Sequence, residues 1–262
     1  MKRIVLIDAD INIYQISAQN QVEANFDGVI VMASNLDNSK HVLDETIKGI
    51  VKKVDADDYL LCISGDNNFR KKHFPSYKLS RKETRKPMGY QELKKHAMDN
   101  HPYKLYDELE ADDVIGIMST MKPKEGIEYV IHSDDKDLKT IPATIWDRHL
   151  GKLVKISELE AARFLYGQIL TGDVTDGYKG CPTVGKTKAQ RALSTCTSEL
   201  EMREAAYKLY CKFYKDDEVA KQEMIAQAGQ ARILRASDFD FKTKSVILWH
   251  PWRNDGNIQT GT

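Results

Sequence analysis

Three short runs of aliphatic and β-branched residues, RIVLI, YLLCI and EYVIH, each lead within a few residues to acids: Asp8 and Asp10, Asp66, and Asp135 and Asp137. Between them lie segments with the spacing of amphipathic helices, including Leu36 to Val54 and Ala111 to Met121. Short apolar runs alternating with helices predict an α/β fold with a mostly parallel central sheet flanked by helices. In such sheets ligands bind beyond the carboxyl ends of the strands, where these acids fall. Two more clusters extend the pattern, Glu110, Asp112 and Asp113 at the start of a predicted helix and Asp173 and Asp176 after another. Gathered carboxylates repel, and a site that holds them must protonate some or bind cations. Hard divalent ions with oxygen ligands meet that need, so the chain reads first as a metal-dependent enzyme.

From about Ser157 the character changes. Ser157 to Leu170 has an N-cap serine, an acid in the first turn and an amphipathic pattern behind it, and Glu199 to Tyr214 and Asp216 to Leu234 read as further helices. The expected division is an α/β core over 1–156 and a mainly helical region over 157–262. The run SVILW at 245–249 predicts a late strand returning to the core. With 262 residues the chain can bury a substantial core. No segment approaches the roughly 20 apolar residues of a membrane-spanning helix. The apolar run at the amino terminus is too short for a signal peptide. Cys62, Cys181, Cys196 and Cys211 form no CxxC pair, which points to a reduced, cytoplasmic setting without a zinc ribbon.

The formal net charge is zero, so partners are legible only in how charge is distributed. Between Phe69 and Pro87, Arg70, Lys71, Lys72, Lys78, Arg81, Lys82, Arg85 and Lys86 face a single acid, Glu83, with Phe69, Phe74 and Tyr77 interleaved. Such a segment is a candidate phosphate-binding surface, its aromatics available for packing or base stacking. Next to metal-binding carboxylates it suggests a nuclease. In Glu110-Ala111-Asp112-Asp113, Glu110 and Asp113 share a helix face if the helix has begun there; otherwise the acids gather at its positive amino terminus. Asp135 and Asp137 point to one side on a strand but carry little meaning in a turn. His132 beside them suits packing or hydrogen bonding better than general-base chemistry.

IDAD, GDNNFRKKHFPSYKLSRK, ELEADDVIG, HSDDKDLKTI, GDVTDGYKGCPTVG and GQARILRASDFDF occur in that order along nearly the whole chain. In this order they resemble the 5′ nuclease (flap endonuclease) superfamily, and within it the stand-alone 5′→3′ exonucleases of podovirus-type DNA phages. The resemblance implies a PIN-like 5′ nuclease fold with a helical arch, here the basic region at about 70–106, and a C-terminal helix-two-turn-helix module that grips duplex DNA. It implies metal ligands at Asp8, Asp66, Glu110, Asp112, Asp113, Asp135, Asp137, Asp173 and Asp176, with Asp112 able to bridge two ions. Asp10 and Asp134 are set aside as neighbours of ligands.

The same resemblance assigns Arg70, Tyr77, Lys78, Arg81 and Lys82 to DNA at the foot of the arch, and Gly180, Gly185, Lys186 and Lys188 to a DNA-gripping turn. Lys78, Asp112 and Asp135 are the catalytic candidates, Lys78 as the charge on the scissile phosphate. Implied cofactors are two Mg²⁺ ions, replaceable by Mn²⁺, and a potassium ion at the helix-two-turn-helix. Implied partners are DNA with a 5′ end, nick or flap, and RNA:DNA hybrid, bound by a monomer in the host cytoplasm. The interval from Arg81 to Glu110 is short for an arch, with Pro87 to Asn100 its helix-capable part. Two other readings are a haloacid-dehalogenase-like phosphatase, with Asp8 as nucleophile, and a non-catalytic DNA-structure-binding protein.

Overall fold

In the computed structural model, which describes residues 1–79, 85–122 and 125–253, the first apolar run forms strand β1 (Lys2–Asp8) and leads directly into helix α1 (Ala9–Gln19). A hairpin follows, β2 (Gln21–Phe26) and β3 (Val29–Ser34), turning at Asp27 and Gly28, both with positive φ as a two-residue hairpin turn requires. Helix α2 (Leu36–Lys53) starts where the Asn35 side chain accepts the Asn38 N–H, and ends on Lys52 and Lys53, which complement its dipole. Next come β4 (Asp58–Cys62), a short α3 (Phe69–His73), α4 (Tyr90–Asn100), β5 (Tyr103–Lys104), α5 (Ala111–Thr120), β6 (Ile127–His132), β7 (Thr144–Asp147) and β8 (Lys152–Lys155).

Among the described residues the main sheet has the order β5-β4-β1-β6-β7-β8, parallel throughout except for the β7–β8 pair. Val5, Leu6 and Ile7 are buried in succession because β1 is central and covered on both faces. From β1 the chain proceeds to β4 on one side and to β6 on the other. That reversal of strand order opens the crevice where ligands bind in open α/β sheets.

The chain divides into two compact units. The first contains Met1–Asn67, Thr84–Lys136 and Ala143–Lys155; the second contains Asn68–Glu83, Asp137–Pro142 and Ile156–Thr262. The last boundary lies before Ile156. The basic segment from Asn68 as far as Leu79 and the stretch beginning at Asp137 group with the helical part instead of the α/β part. The first unit's core joins Val5, Ile7, Ile13, Leu43, Ile47 and Leu61 to Tyr90, Leu93 and Ala97 of α4. Of the arch region, α4 is thus a packed helix and β5 a sheet strand.

The second unit is built from α6 (Glu158–Thr171), α7 (Lys186–Leu193), α8 (Glu199–Tyr214) and α9 (Asp217–Ala231) around Leu165, Tyr166, Ile169, Met202, Tyr210 and Met224. A capping box of Ser157 and Glu160 starts α6 as its sequence predicts. The late SVILW run differs from expectation. Only Ser245–Val246 is a strand, β10, paired with β9 (Phe239–Asp240) outside the central sheet, while Trp249 packs on the second unit's core. Two residues of ladder bury too little to make a sheet strand of the run, and Ile247 and Leu248 stay exposed.

Candidate active site

Asp8 is both the last residue of β1 and the N-cap of α1, and is 2% exposed. Ser133 donates its hydroxyl to Asp8 Oδ2 at 2.8 Å and accepts the Asp135 N–H at 3.0 Å, so one serine fixes the ends of β1 and β6 together. Asp10 lies in the first turn of α1. Its Oδ2 accepts the Ser64 N–H at 3.2 Å, while its Oδ1 is buried with no hydrogen-bond partner. Ser64, just past β4, also accepts the Ala111 N–H at 2.9 Å and, through its carbonyl, the Lys94 ammonium at 2.8 Å. Ser64 and Ser133 thus position the acids at three strand and helix ends. Neither carries a sequence signal beyond its place after an apolar run.

Burial, followed by the charges of Asp10 and then Asp135, pushes the Asp8 carboxyl up to about 7, although the Ser133 hydroxyl opposes the shift. Burial also raises Asp10, with Ser64, Lys94 and Lys86 opposing. Two neighbouring groups respond to the same field. Cys62 is raised by burial and then by Asp8, Asp10 and Asp112, and Tyr90 by burial and then by Asp10 and Asp8. The first unit thus holds a negative pocket at the switch point of its sheet. Its donors are oxygens, and one buried carboxylate oxygen has no proton donor. A hard divalent cation fits such a set, and Asp8, Asp10 and Asp135 are the residues that could hold it. Asp10, set aside in the sequence, stands inside this group.

The remaining acids of the first unit divide by role. Glu110 is the N-cap of α5 and forms a reciprocal capping box with Asp113, whose carboxylate accepts the Glu110 N–H at 3.3 Å. Of the two arrangements open in the sequence, the structure has the acids gathered at the helix amino terminus. Asp113 is fully buried in this cap, whereas Asp112 is only partly buried. Asp66 is exposed on the loop after β4, which is pinned by Gly65 N–H to Leu109 O at 2.9 Å and Asn67 N–H to Asp107 O at 3.0 Å. Asp134 pairs with Arg148 at 2.7 Å on the surface, and burial lowers the His132 imidazole.

The second unit holds the other acids. Asp137 lies on a 3₁₀ turn, Lys136–Thr140, so the strand arrangement with Asp135 does not occur; the sequence DKDLKT turns before a strand can form. Gln168 of α6 donates to Asp137 Oδ1 at 2.6 Å. Asp173 Oδ1 accepts the N–H groups of Thr175 at 2.8 Å and Asp176 at 3.3 Å. Lys78 is doubly tied to Asp176, its N–H donating to the Asp176 carbonyl at 2.8 Å and its ammonium standing 3.8 Å from the carboxylate. Tyr178 is raised by burial and then by the charges of Asp137, Asp173 and Asp176 in turn.

The basic segment is less superficial than its sequence suggests. Arg70 is 2% exposed, donates to the Arg232 carbonyl and lies over the rings of Phe69 and Tyr77. Tyr77 is also buried, and the Lys78 ammonium stands 5.0 Å from its ring centre. Arg70 therefore packs on Phe69 and Tyr77, and the Tyr77 ring in turn carries the Lys78 ammonium. The cause is local, since each cation rests on an aromatic neighbour. Arg81 and Lys82 lie outside the described residues.

Gly180 has a φ of +69°, and a Cβ there would stand 2.3 Å from the Gly172 nitrogen, so it serves close contact between two backbone turns. Gly185 differs, with open space around its Cα as the exposed N-cap of α7, and Lys186 and Lys188 are exposed in the first turn. A helix amino terminus with two lysines is suited to an anion.

Residues 3–160 match the family model described as "5′-3′ exonuclease, N-terminal resolvase-like domain". The chain is similar to the exodeoxyribonuclease of Enterobacteria phage T3, 26% identical over 283 residues that cover 95% of this chain and 93% of the relative. It is likewise similar to the exonuclease of Escherichia phage T7, at 26% identity over 95% of this chain and 94% of the relative. Its fold is similar to that of the bacteriophage T5 D15 flap endonuclease in a pseudo-enzyme-product complex with DNA and metal ions. That likeness has a TM-score of 0.53 and 13% identity, covering 87% of this chain and 99% of the other.

Proposed function

The chain belongs to the family of 5′-3′ exonucleases with a resolvase-like N-terminal domain, and from that premise we propose that it removes nucleotides from the 5′ ends of DNA with two Mg²⁺ ions. It is a metal-dependent 5′ nuclease, an enzyme of the exonuclease and structure-specific endonuclease class. The observation that carries the reading is the group of Asp8, Asp10 and Asp135 at the switch point, where a raised Asp8 and an orphaned Asp10 oxygen call for a cation. Phosphatase chemistry through an aspartyl nucleophile and a silent DNA-binding role are not favoured.

In this proposal Asp8, Asp66, Glu110, Asp112, Asp113 and Asp135 of the first unit, with Asp10 added, and Asp137, Asp173 and Asp176 of the second supply the ligands. When bound, the ions would acidify water and offset the charge that develops on the phosphate. Ser133 and Ser64 hold their carboxylates in place before any ion arrives. Lys78 supplies a positive charge to the scissile phosphate, with its stem supported on Tyr77. Gly185, Lys186 and Lys188 take the duplex backbone at the start of α7. Mn²⁺ would substitute for Mg²⁺, and a monomer acting on a nick, flap, blunt end or RNA:DNA hybrid in the cytoplasm of a host cell completes the proposal. Among the described residues, no helix is long and apolar enough to cross a membrane.

The test is cleavage of 5′-labelled single-stranded, duplex, nicked, flap and RNA:DNA substrates with Mg²⁺ or Mn²⁺. Mononucleotide or short products from the 5′ end are expected, with no covalent protein adduct. A phosphorylated Asp8, or release from the 3′ end only, would overturn the reading.

A further inference from the structure

At the opposite end of β4 from the acidic pocket, three side chains from separate parts of the first unit meet. Asp44 comes from α2, His96 from α4 and His101 from the residue that ends α4. One ligand atom from each lies within 4.8 Å of the others. Both imidazoles address one oxygen: Asp44 Oδ1 is 2.9 Å from His96 Nε2 and 3.0 Å from His101 Nε2. The rings meet edge to face at 76°, with centroids 6.0 Å apart, so their nitrogens converge on a point and the rings do not stack.

The outer nitrogens are engaged as well. His101 Nδ1 is 3.0 Å from the Tyr59 hydroxyl, and His96 Nδ1 is 3.1 Å from the Asn100 side-chain amide. Metal-binding histidines characteristically donate their second N–H to an acceptor that fixes the ring's orientation, a role open to the Tyr59 hydroxyl for His101, whereas the Asn100 amide donates to His96 Nδ1 here. The imidazole side chains are only 16% and 10% exposed, while Asp44 at 36% leaves a path from solvent.

We propose that Asp44, His96 and His101 form a binding site for a divalent transition cation, zinc before others, with water in the fourth position. Two imidazole nitrogens and one carboxylate oxygen suit zinc, whereas magnesium prefers an all-oxygen shell. A tetrahedral ion with bonds of about 2.0–2.1 Å separates its ligands by roughly 3.3 Å, so the two nitrogen–oxygen spacings of 2.9 and 3.0 Å need only a slight opening. Binding puts the metal in place of the Nε2 proton of each ring, and that proton passes to Nδ1 so that both imidazoles stay neutral, with the Tyr59 hydroxyl then accepting from His101 and the Asn100 amide turning away from His96.

Tyr59 pairs with Val5 and Cys62 with Asp8, three residues further along the strand, or about 10 Å. The site therefore lies apart from the carboxylate pocket and shares no ligand with it. Its effect is on α4. A bound ion would brace the end of α4 against α2, while the same helix carries Lys94 to Ser64 and places Tyr90 in the field of Asp10. The site does not rest on the nuclease reading.

The test uses Co²⁺ as a coloured probe and Zn²⁺ alone as the competing ion, with Mg²⁺ in large excess to occupy the all-oxygen donors. One equivalent of Co²⁺ with visible tetrahedral absorption is expected, displaced by Zn²⁺, accompanied by a rise in unfolding temperature. Both signals should be retained in Asp8→Asn and lost in His96→Gln and in the isosteric Asp44→Asn, with far-UV circular dichroism reporting whether each variant is folded. Absorption that survives in folded His96→Gln or Asp44→Asn would overturn the proposal. So would its loss in Asp8→Asn, or failure of the wild-type protein to bind an equivalent.

Discussion

Asp8 and Asp10 in the first unit and Asp173 and Asp176 in the second are both acid pairs following an apolar element, yet they meet opposite electrostatic surroundings. Asp8 is buried beside further carboxylates, and Asp10 keeps a buried oxygen without a partner. Asp173 caps its own turn through two backbone N–H groups, and Asp176 has the Lys78 ammonium close by. The first pair is a charge problem that a cation solves. The second is partly offset by the protein itself, so its acids have structural work to do whether or not a metal binds.

The largest effect should come from the first group. Asp8→Asn or Asp10→Asn is expected to lower Mg²⁺-dependent 5′ cleavage at least about 10³-fold, beyond the roughly 10–100-fold that loss of a partner to a metal ligand costs. Wild-type turnover by Asp10→Asn would return Asp10 to the role of bystander that its sequence position suggests.

The same group should make the metal-free protein sensitive to pH. Folded Asp8 keeps its proton up to about 7, whereas an unfolded aspartate releases it near 3.9. Between these values the folded state binds more protons, so its stability falls as pH rises through the window and is unaffected below it. The loss amounts to at most a few kcal/mol, a tenfold change in proton affinity being about 1.4 kcal/mol. In chelator above pH 7, Asp8→Asn should therefore unfold at a higher temperature than wild type, and added Mg²⁺ should narrow the gap. An Asp8→Asn protein that is less stable at every pH would contradict the charge argument.

In the second group, Lys78→Ala should lower turnover by about 10²-fold, the scale of losing one contact to developing charge, while metal binding by the first group is unchanged. Full activity in that variant would leave the Lys78–Asp176 pair purely structural. Smaller again is Gly180→Ala, which forces a side chain into a left-handed conformation against the Gly172 backbone. A cost of about 1–3 kcal/mol from the backbone alone, or several degrees in unfolding temperature, is expected.

Much of the fold is legible in the sequence because burial on both faces leaves continuous apolar runs. RIVLI, YLLCI and EYVIH became β1, β4 and β6, and the helix beginning after Ser157 starts at its capping box. The hairpin of β2 and β3 was not legible, since Val22, Phe26, Val29 and Ile30 are exposed and make no alternation of inside and outside. At the site, residue type identified carboxylates but not their surroundings. Nothing local tells that Asp10 would keep an orphaned oxygen, or that Arg70 and Tyr77 would be buried within a run of surface-like charges. Asp44 stands more than fifty residues before His96 and His101, and only the packing of α2 on α4 joins them.

The central claim is that the carboxylates of the first unit hold the ions that make this chain a 5′ nuclease. It is tested most directly by comparing wild type and Asp135→Asn on one 5′-labelled duplex, measuring cleavage and binding together with Mg²⁺ and with chelator. The account predicts short 5′ products from wild type with Mg²⁺, none with chelator, and near-total loss of cleavage in Asp135→Asn while the duplex is still bound. Equal cleavage by the variant, or cleavage that persists in chelator, would contradict it.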